Sequence, residues 1–279
     1  MKKIISSFAM AALLAGAFSS CTKAKLDEAN IDGMTQADKG LVVAAGFNGD
    51  WATKNADGTF LIEGDILLSK NELQEMGGVA SQHELIVAGE EHYRTTNVVS
   101  LPSTGQRNIT VRLGSGFPAY YSPALDAALL RYNNLNLRIK FTRVSTGGNI
   151  VVTGSNLGNA TSQGCTLGQA GGFPVNGNPS AGFTLSTNSC ATGYLNTQAK
   201  ADEVIAHEIG HCIGFRHTDY MNRSSCGQNS NEGAAGVGAV FIPGTAGTVT
   251  GTYNSWMMAC TNGNPAFSSV DGVALNYVY

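Results

Sequence analysis

The sequence predicts an α+β fold in which one helix carries the chemistry, and three features point to it. Residues 109–113 (Ile-Thr-Val-Arg-Leu) and 137–141 (Leu-Arg-Ile-Lys-Phe) alternate as strands do, with a short apolar run at 149–152 and a helical period near 122–132 between the first two. A stretch at 154–194, rich in Gly, Asn and Ser, shows little periodicity. A second helical segment then opens at Thr197 and runs to about Ile213, and three of the chain's five histidines lie on it or just beyond it.

Taken in order, the chain begins with a targeting segment. Lys2 and Lys3 precede a short apolar run at 8–18, and Phe18-Ser19-Ser20-Cys21 follows. Small residues before a cysteine resemble a lipobox, which places a lipid on Cys21; an ordinary signal peptide is the alternative. Residues 1–20 are therefore read as a leader and 21–94 as a tether and propeptide-like region. Within that region, 22–45 is a polar tether and 47–76 a small folded unit. A turn at Asn55-Ala56-Asp57-Gly58 leads there into a strand at 59–62. Residues 77–94 read as a charged linker carrying solvated His83 and His92. The main folded unit, which carries the motif described below, is expected over 95–279. Its first helix takes Ser122 as cap and Pro123 in the first turn, with Leu125, Ala128, Leu129 and Tyr132 on one face.

Composition bounds the function. Charged residues make up 13%, glycines number 35 and the net charge is −3, so there is no basic footprint for nucleic acid. Past the leader no stretch is apolar and long enough to cross a bilayer, and membrane contact is expected through the lipid alone. Export permits disulfides. Apart from Cys21 there are five cysteines, so one thiol is left over. Cys165 and Cys190 flank one loop region and form the expected pair. Cys226 with Cys260 is the second, because Cys212 sits inside the motif helix.

The chemistry lies in His207-Glu208-Ile209-Gly210-His211-Cys212-Ile213-Gly214-Phe215-Arg216-His217. Histidines at i and i+4 share a helix face and reach one metal ion. Gly214 permits the left-handed backbone that ends a helix, so the chain can turn and deliver His217 as a third ligand. Three protein ligands leave the fourth position of Zn²⁺ open, which marks a catalytic rather than a structural site. Glu208, beside the ligands, fits a general base that handles water without binding the metal.

This segment resembles the extended metzincin signature, and its spelling is similar to that of the bacterial dual-action HEIGH metallopeptidases. The resemblance implies a zincin-like catalytic domain: a twisted mixed sheet, an active-site helix and a C-terminal helix. It implies a secreted or envelope-anchored zinc endopeptidase acting on protein or peptide substrates. The other reading is a zinc-containing surface lipoprotein or adhesin without turnover. Ser255-Trp256-Met257 is similar to a Met-turn, with Met257 beneath the metal and Met258 the weaker choice. Residues 267–279 look like the final helix, with Ser269 as its cap. Residues 166–174 resemble the edge strand that pairs with substrate, or else form a Gly-rich loop. No Tyr follows the Met-turn. Asp219 either orients a ligand or caps a turn.

Ile62-Glu63-Gly64-Asp65-Ile66 resembles the Phe-x-Gly-Asp segment of astacin propeptides, in which an Asp takes the metal's open position. Gly64 would let the backbone approach and Asp65 would replace the water. An ordinary strand-end turn is the alternative.

Overall fold

The computed structural model describes residues 33–77, 92–158, 164–233, 236–245, 254–261, 263 and 266–279. The leader, Cys21 and His83 lie outside these residues. Among the described residues no helix is long and apolar enough to cross a membrane.

An eight-stranded mixed sheet organises the chain. Near one end of it β5 (Arg107–Leu113) lies between the edge strand β6 (Ile139–Arg143) and β7 (Ile150–Ser155), parallel to both. Ile109 and Val111 of β5, Ile139 and Phe141 of β6, and Ile150 and Val152 of β7 alternate inward, as period-two patterning dictates. The crossover from β5 to β6 is α3 (Tyr121–Asn133), which buries Leu125, Ala128, Leu129 and Tyr132. Its cap position is Tyr120 and makes no side-chain cap bond, so Ser122 already lies inside the helix. β9 (Gly182–Ser186) continues the sheet parallel to β7, and β8 (Gly168–Ala170) runs antiparallel to β9.

Beyond β8 the sheet is extended by the N-terminal segment. β3 (Ile66–Leu68) pairs with β8, then β2 (Phe60–Ile62) and β1 (Ala52–Lys54) follow antiparallel. Of the two readings of 166–174, edge strand or Gly-rich loop, the strand holds for β8, but it has a neighbour on each side and is not a free edge. Nor is 34–45 a tether. α1 (Gln36–Ala44) has a Thr35–Asp38 capping box and packs on α2 (Lys70–Gly77), with Met34, Val42 and Ala45 buried. This region forms its own apolar cluster with Phe60, Ile62, Ile66, Leu68 and Leu73; Phe173 and Val237 join it from the rest of the chain.

The larger core lies between the sheet, α3 and α5 (Gln198–Cys212). α5 starts at the expected cap, Thr197, whose side chain accepts from the Lys200 amide. A short helix, α4 (Ser189–Tyr194), precedes it. The final helix, α6 (Ser269–Val278), is capped one residue earlier than expected, by Ser268 with Asp271. The expected linker also folds at its end. β4 (Tyr93–Arg94) pairs with β10 (Val240–Phe241), and the Thr95 amide donates to Gly214 O at 2.7 Å. His92 is 2% exposed rather than solvated: it stacks on Trp256 and bonds Asp271 at 2.6 Å.

Candidate metal centre and cleft

α5 places His207 and His211 one turn apart. The helix ends at Gly214, whose φ of 105° lies where a side chain is strained. An added Cβ there would also press on Thr95 Oγ1 and Asn97 O, at 3.0 and 3.1 Å. The chain reverses at that point, is held by Arg216 N donating to Tyr93 O, and brings His217 back over the helix. One ligand atom from each of His207, His211, His217 and Asp65 lies within 4.8 Å of all the others.

Each imidazole is fixed through its other nitrogen. Nδ1 of His207 faces Trp256 O, that of His211 faces Phe215 O, and that of His217 faces Glu232 Oε1, each at 2.8 Å. Carbonyl and carboxylate oxygens only accept, so every Nδ1 donates and Nε2 is the nitrogen each ring turns inward, where its lone pair can bind a metal. His207 and His211 Nε2 approach to 3.1 Å. Two facing lone pairs repel unless a cation lies between them. Tetrahedral bonds of ~2.0–2.1 Å put ligand atoms roughly 3.3 Å apart, close to this spacing. Three imidazoles and one carboxylate oxygen are the donors that zinc takes, and the residues fit it.

Asp65 supplies the carboxylate. It stands at the tip of the β2–β3 hairpin, where Glu63 and Gly64 are both left-handed, at φ 58° and 92°. Gly64 is therefore needed for conformation more than for clearance, since an added Cβ would meet only Arg223 Nη2 at 3.8 Å. Asp65 Oδ2 is 2.7 Å from His217 Nε2, 3.3 Å from His207 and 3.4 Å from His211. Burial would raise this carboxyl, but His217 and His211 hold it well below the usual range. His217 is correspondingly raised against its burial by Asp65 and Glu232, while burial lowers His211 to about 4.

Glu208 is 2% exposed and its Oε2 has no hydrogen-bond partner among the described residues. Burial, then the charge of Asp65, push its carboxyl well above the usual range. It lies against β8 at Gly168, where a Cβ would come within 2.7 Å of its Cδ. The cleft it faces is walled by β8, the hairpin tip and the segment after Met257.

Met257 is fully buried under the motif helix, and the segment is tied to the turn that carries His217: Thr218 N donates to Met257 O at 2.7 Å. Met258 lines the cleft instead. Disulfides join Cys165 to Cys190 and Cys226 to Cys260, and Cys212 is free and buried. Asp219 accepts from Ser225 N and Ala259 N, both at 2.9 Å, so it caps and joins two loops rather than orienting a histidine. Two features carry no signal in the sequence. One is Glu232, partner of His217. The other is the buried pair of Glu63 and Arg216, flanked by Arg223. Arg216 stands in the motif, but no spacing rule connects it to residue 63 or 232.

A helix-borne histidine pair, a third histidine across a glycine turn and a buried carboxylate beside them define a metallopeptidase centre of the zinc type. The chain belongs to the dual-action HEIGH metallo-peptidase family, whose model matches residues 60–279. That match begins inside the expected propeptide-like region and includes Asp65. Similar solved structures include myroilysin, at 15% identity and TM-score 0.35 over 63% of this chain and 81% of that one. A second myroilysin structure gives 17% and 0.34 over 72% and 99%. High choriolytic enzyme 1, a hatching enzyme zinc-protease from the medaka Oryzias latipes, gives 16% and 0.35 over 65% and 93%. A search of curated proteins finds no match.

Proposed function

We propose that this metallopeptidase is an exported zinc endopeptidase, folded with its own hairpin closing the active site. The observation that carries it is the convergence of three inward-facing Nε2 atoms, each fixed through Nδ1, with Asp65 Oδ2 on the fourth side. His207, His211 and His217 hold the ion. Zinc, when bound, supplies Lewis acidity that makes water a nucleophile near neutral pH and polarises the peptide carbonyl. Glu208 is the general base. Its buried carboxylate, with Oε2 unpartnered among the described residues, accepts the proton of the attacking water and passes it to the leaving amine. Met257 is the floor that fixes Trp256 O under His207.

Asp65 acts as the brake. Its carboxylate stands where water must enter, and β3 takes the edge of β8 that an extended peptide would use, with Ala170 N donating to Asp65 O at 2.6 Å. Turnover therefore requires the hairpin to withdraw. The leader and Cys21 support export with a lipid on the envelope side. The test is zinc content together with hydrolysis of a generic protein by the intact chain and by its Asp65→Ala form, each with and without a chelator. Zinc binding without chelator-sensitive hydrolysis in either form would overturn the reading.

A further inference from the structure

The hairpin fills a second site besides the metal position. Glu63, two residues before Asp65, sends its carboxylate into a pocket where Arg216 Nη2 meets it, and both side chains are fully buried. Arg223 closes the same pocket: its Nη1 donates to Glu63 O at 2.8 Å and also bonds Glu232. Burial drives the Glu63 carboxyl up while Arg216 pulls it down. The pocket adjoins the metal centre directly, because Glu232 is the residue that holds His217.

Charges here balance only while the hairpin is in place. Arg216 and Arg223 face Glu63 and Glu232, two against two. Removing the hairpin leaves Glu232 alone against both guanidinium groups, next to a metal ion. The arginines keep their anchors in the rest of the chain. Arg216 Nη1 donates to Gly233 O and Gly238 O, and its plane lies on Tyr220. Arg223 Nε donates to Gln228 at 3.0 Å. Arg223 and Gln228 line the cleft, beside the Cys226–Cys260 disulfide. What is lost is Glu63 itself and two aromatic covers from the N-terminal segment, Phe47 over Arg216 and Trp51 over Arg223. The space Glu63 vacates is faced by Arg216 and Arg223, and two buried guanidinium groups against one carboxylate leave an uncompensated charge that is costly.

We infer that the pocket holding Glu63 is a substrate subsite for an acidic side chain, so that the active enzyme selects peptides with Asp or Glu at one fixed position near the scissile bond. This rests on the endopeptidase reading above. The hairpin then inhibits by presenting two carboxylates, Asp65 to the metal and Glu63 to the subsite. A carboxylate hydrogen-bonded to a buried guanidinium outcompetes its amide counterpart by roughly 10- to 100-fold.

Two arms test this on the full-length chain. In the first, Glu63→Ala is melted in acetate and in chloride at equal ionic strength. Acetate should raise the melting temperature of Glu63→Ala selectively, and Glu63→Ala with Arg216→Lys or Arg223→Gln should respond less. Equal effects of acetate and chloride would overturn the subsite. In the second, the zinc-loaded Glu63→Ala/Asp65→Ala protein is given a mixed peptide library and the cut bonds are mapped by mass spectrometry. The expected result is Asp or Glu at one position, cut about 10- to 100-fold faster than Asn or Gln there. Cleavage without acidic enrichment would overturn the inference and leave the peptidase reading standing. Zinc retention with no cleavage at all would refute the peptidase reading instead, and the acetate arm would then decide the pocket.

Discussion

Gly210 stands in the interior of α5, where exchanging Gly for Ala ordinarily stabilises a helix by ~1 kcal/mol. Here the sign should reverse. An added Cβ would stand 3.0 Å from Trp256 Nε1 and 3.3 Å from Met257 Cε, and closer still to Met257 Sδ. Neither neighbour can retreat freely. Met257 is fully buried, and Trp256 Nε1 donates at 2.9 Å to Tyr132 Oη, which donates in turn to Ala206 O. Overpacking of this kind costs ~1–3 kcal/mol, so after the helix gain the net loss for Gly210→Ala is up to about 2 kcal/mol. At roughly 2–4 °C per kcal/mol for a domain of this size, the metal-free melting temperature should fall by up to about 8 °C. Displacing Met257 also moves Trp256 O, the partner of His207 Nδ1, and zinc affinity should drop ~10- to 100-fold. Thermal melts of the metal-free protein and a competitive chelator titration measure both. Adding Met257→Ala vacates the space, so the double substitution should be less damaging than the two single effects combined, by ~1–2 kcal/mol. A Gly210→Ala protein that is more stable than the parent and binds zinc equally well would refute the packing argument.

Glu208→Gln should retain zinc and lose ~10²- to 10⁴-fold in kcat, the range of general-base catalysis, and near-parental turnover would remove Glu208 from the mechanism. Asp65→Ala should keep bound zinc, since three imidazoles remain, and should raise hydrolysis of a generic protein; equal activity in both forms would dismiss the brake. Glu232→Gln weakens the acceptor for His217 Nδ1–H and should cost ~10- to 100-fold in zinc affinity, read by the same chelator titration. Gly168→Ala drives a methyl onto Glu208, within 2.7 Å of Cδ and 2.9 Å of Cγ, and should depress kcat while zinc content stays unchanged.

Much of the site is legible in the sequence because its residues are local. His207, Glu208 and His211 lie on one helix, Gly214 ends it, and the turn returns His217 within six residues. Helix periodicity and glycine conformation decide those relations at short range. The strands β5, β6 and β7 and the helix α3 are legible for the same reason, since alternating or helical burial is written into contiguous residues. The N-terminal segment is legible only in part: the strand expected at 59–62 is β2, but the helix before it is not expected from sequence. The stretch 22–45 reads as polar, but Leu41-Val42-Val43-Ala44-Ala45 at its end is apolar, and α1 buries too few positions to leave a clear helical period. His92 reads as solvated because its neighbours in sequence are charged. Its partners, Asp271 and Ser255, are more than 160 residues away.

The order of the three histidines, the helix that bears two of them and the class of chemistry all follow from the sequence, because spacing along one helix and one turn sets which side chains can converge. Whatever depends on separate segments meeting is decided in three dimensions. Folding sets Asp65 against the three histidines, lays β3 along β8, places Glu232 behind His217 and pairs Glu63 with Arg216. Those contacts arise from sheet pairing and from the pairing of buried charges, and such long-range closure leaves no periodic trace in the chain.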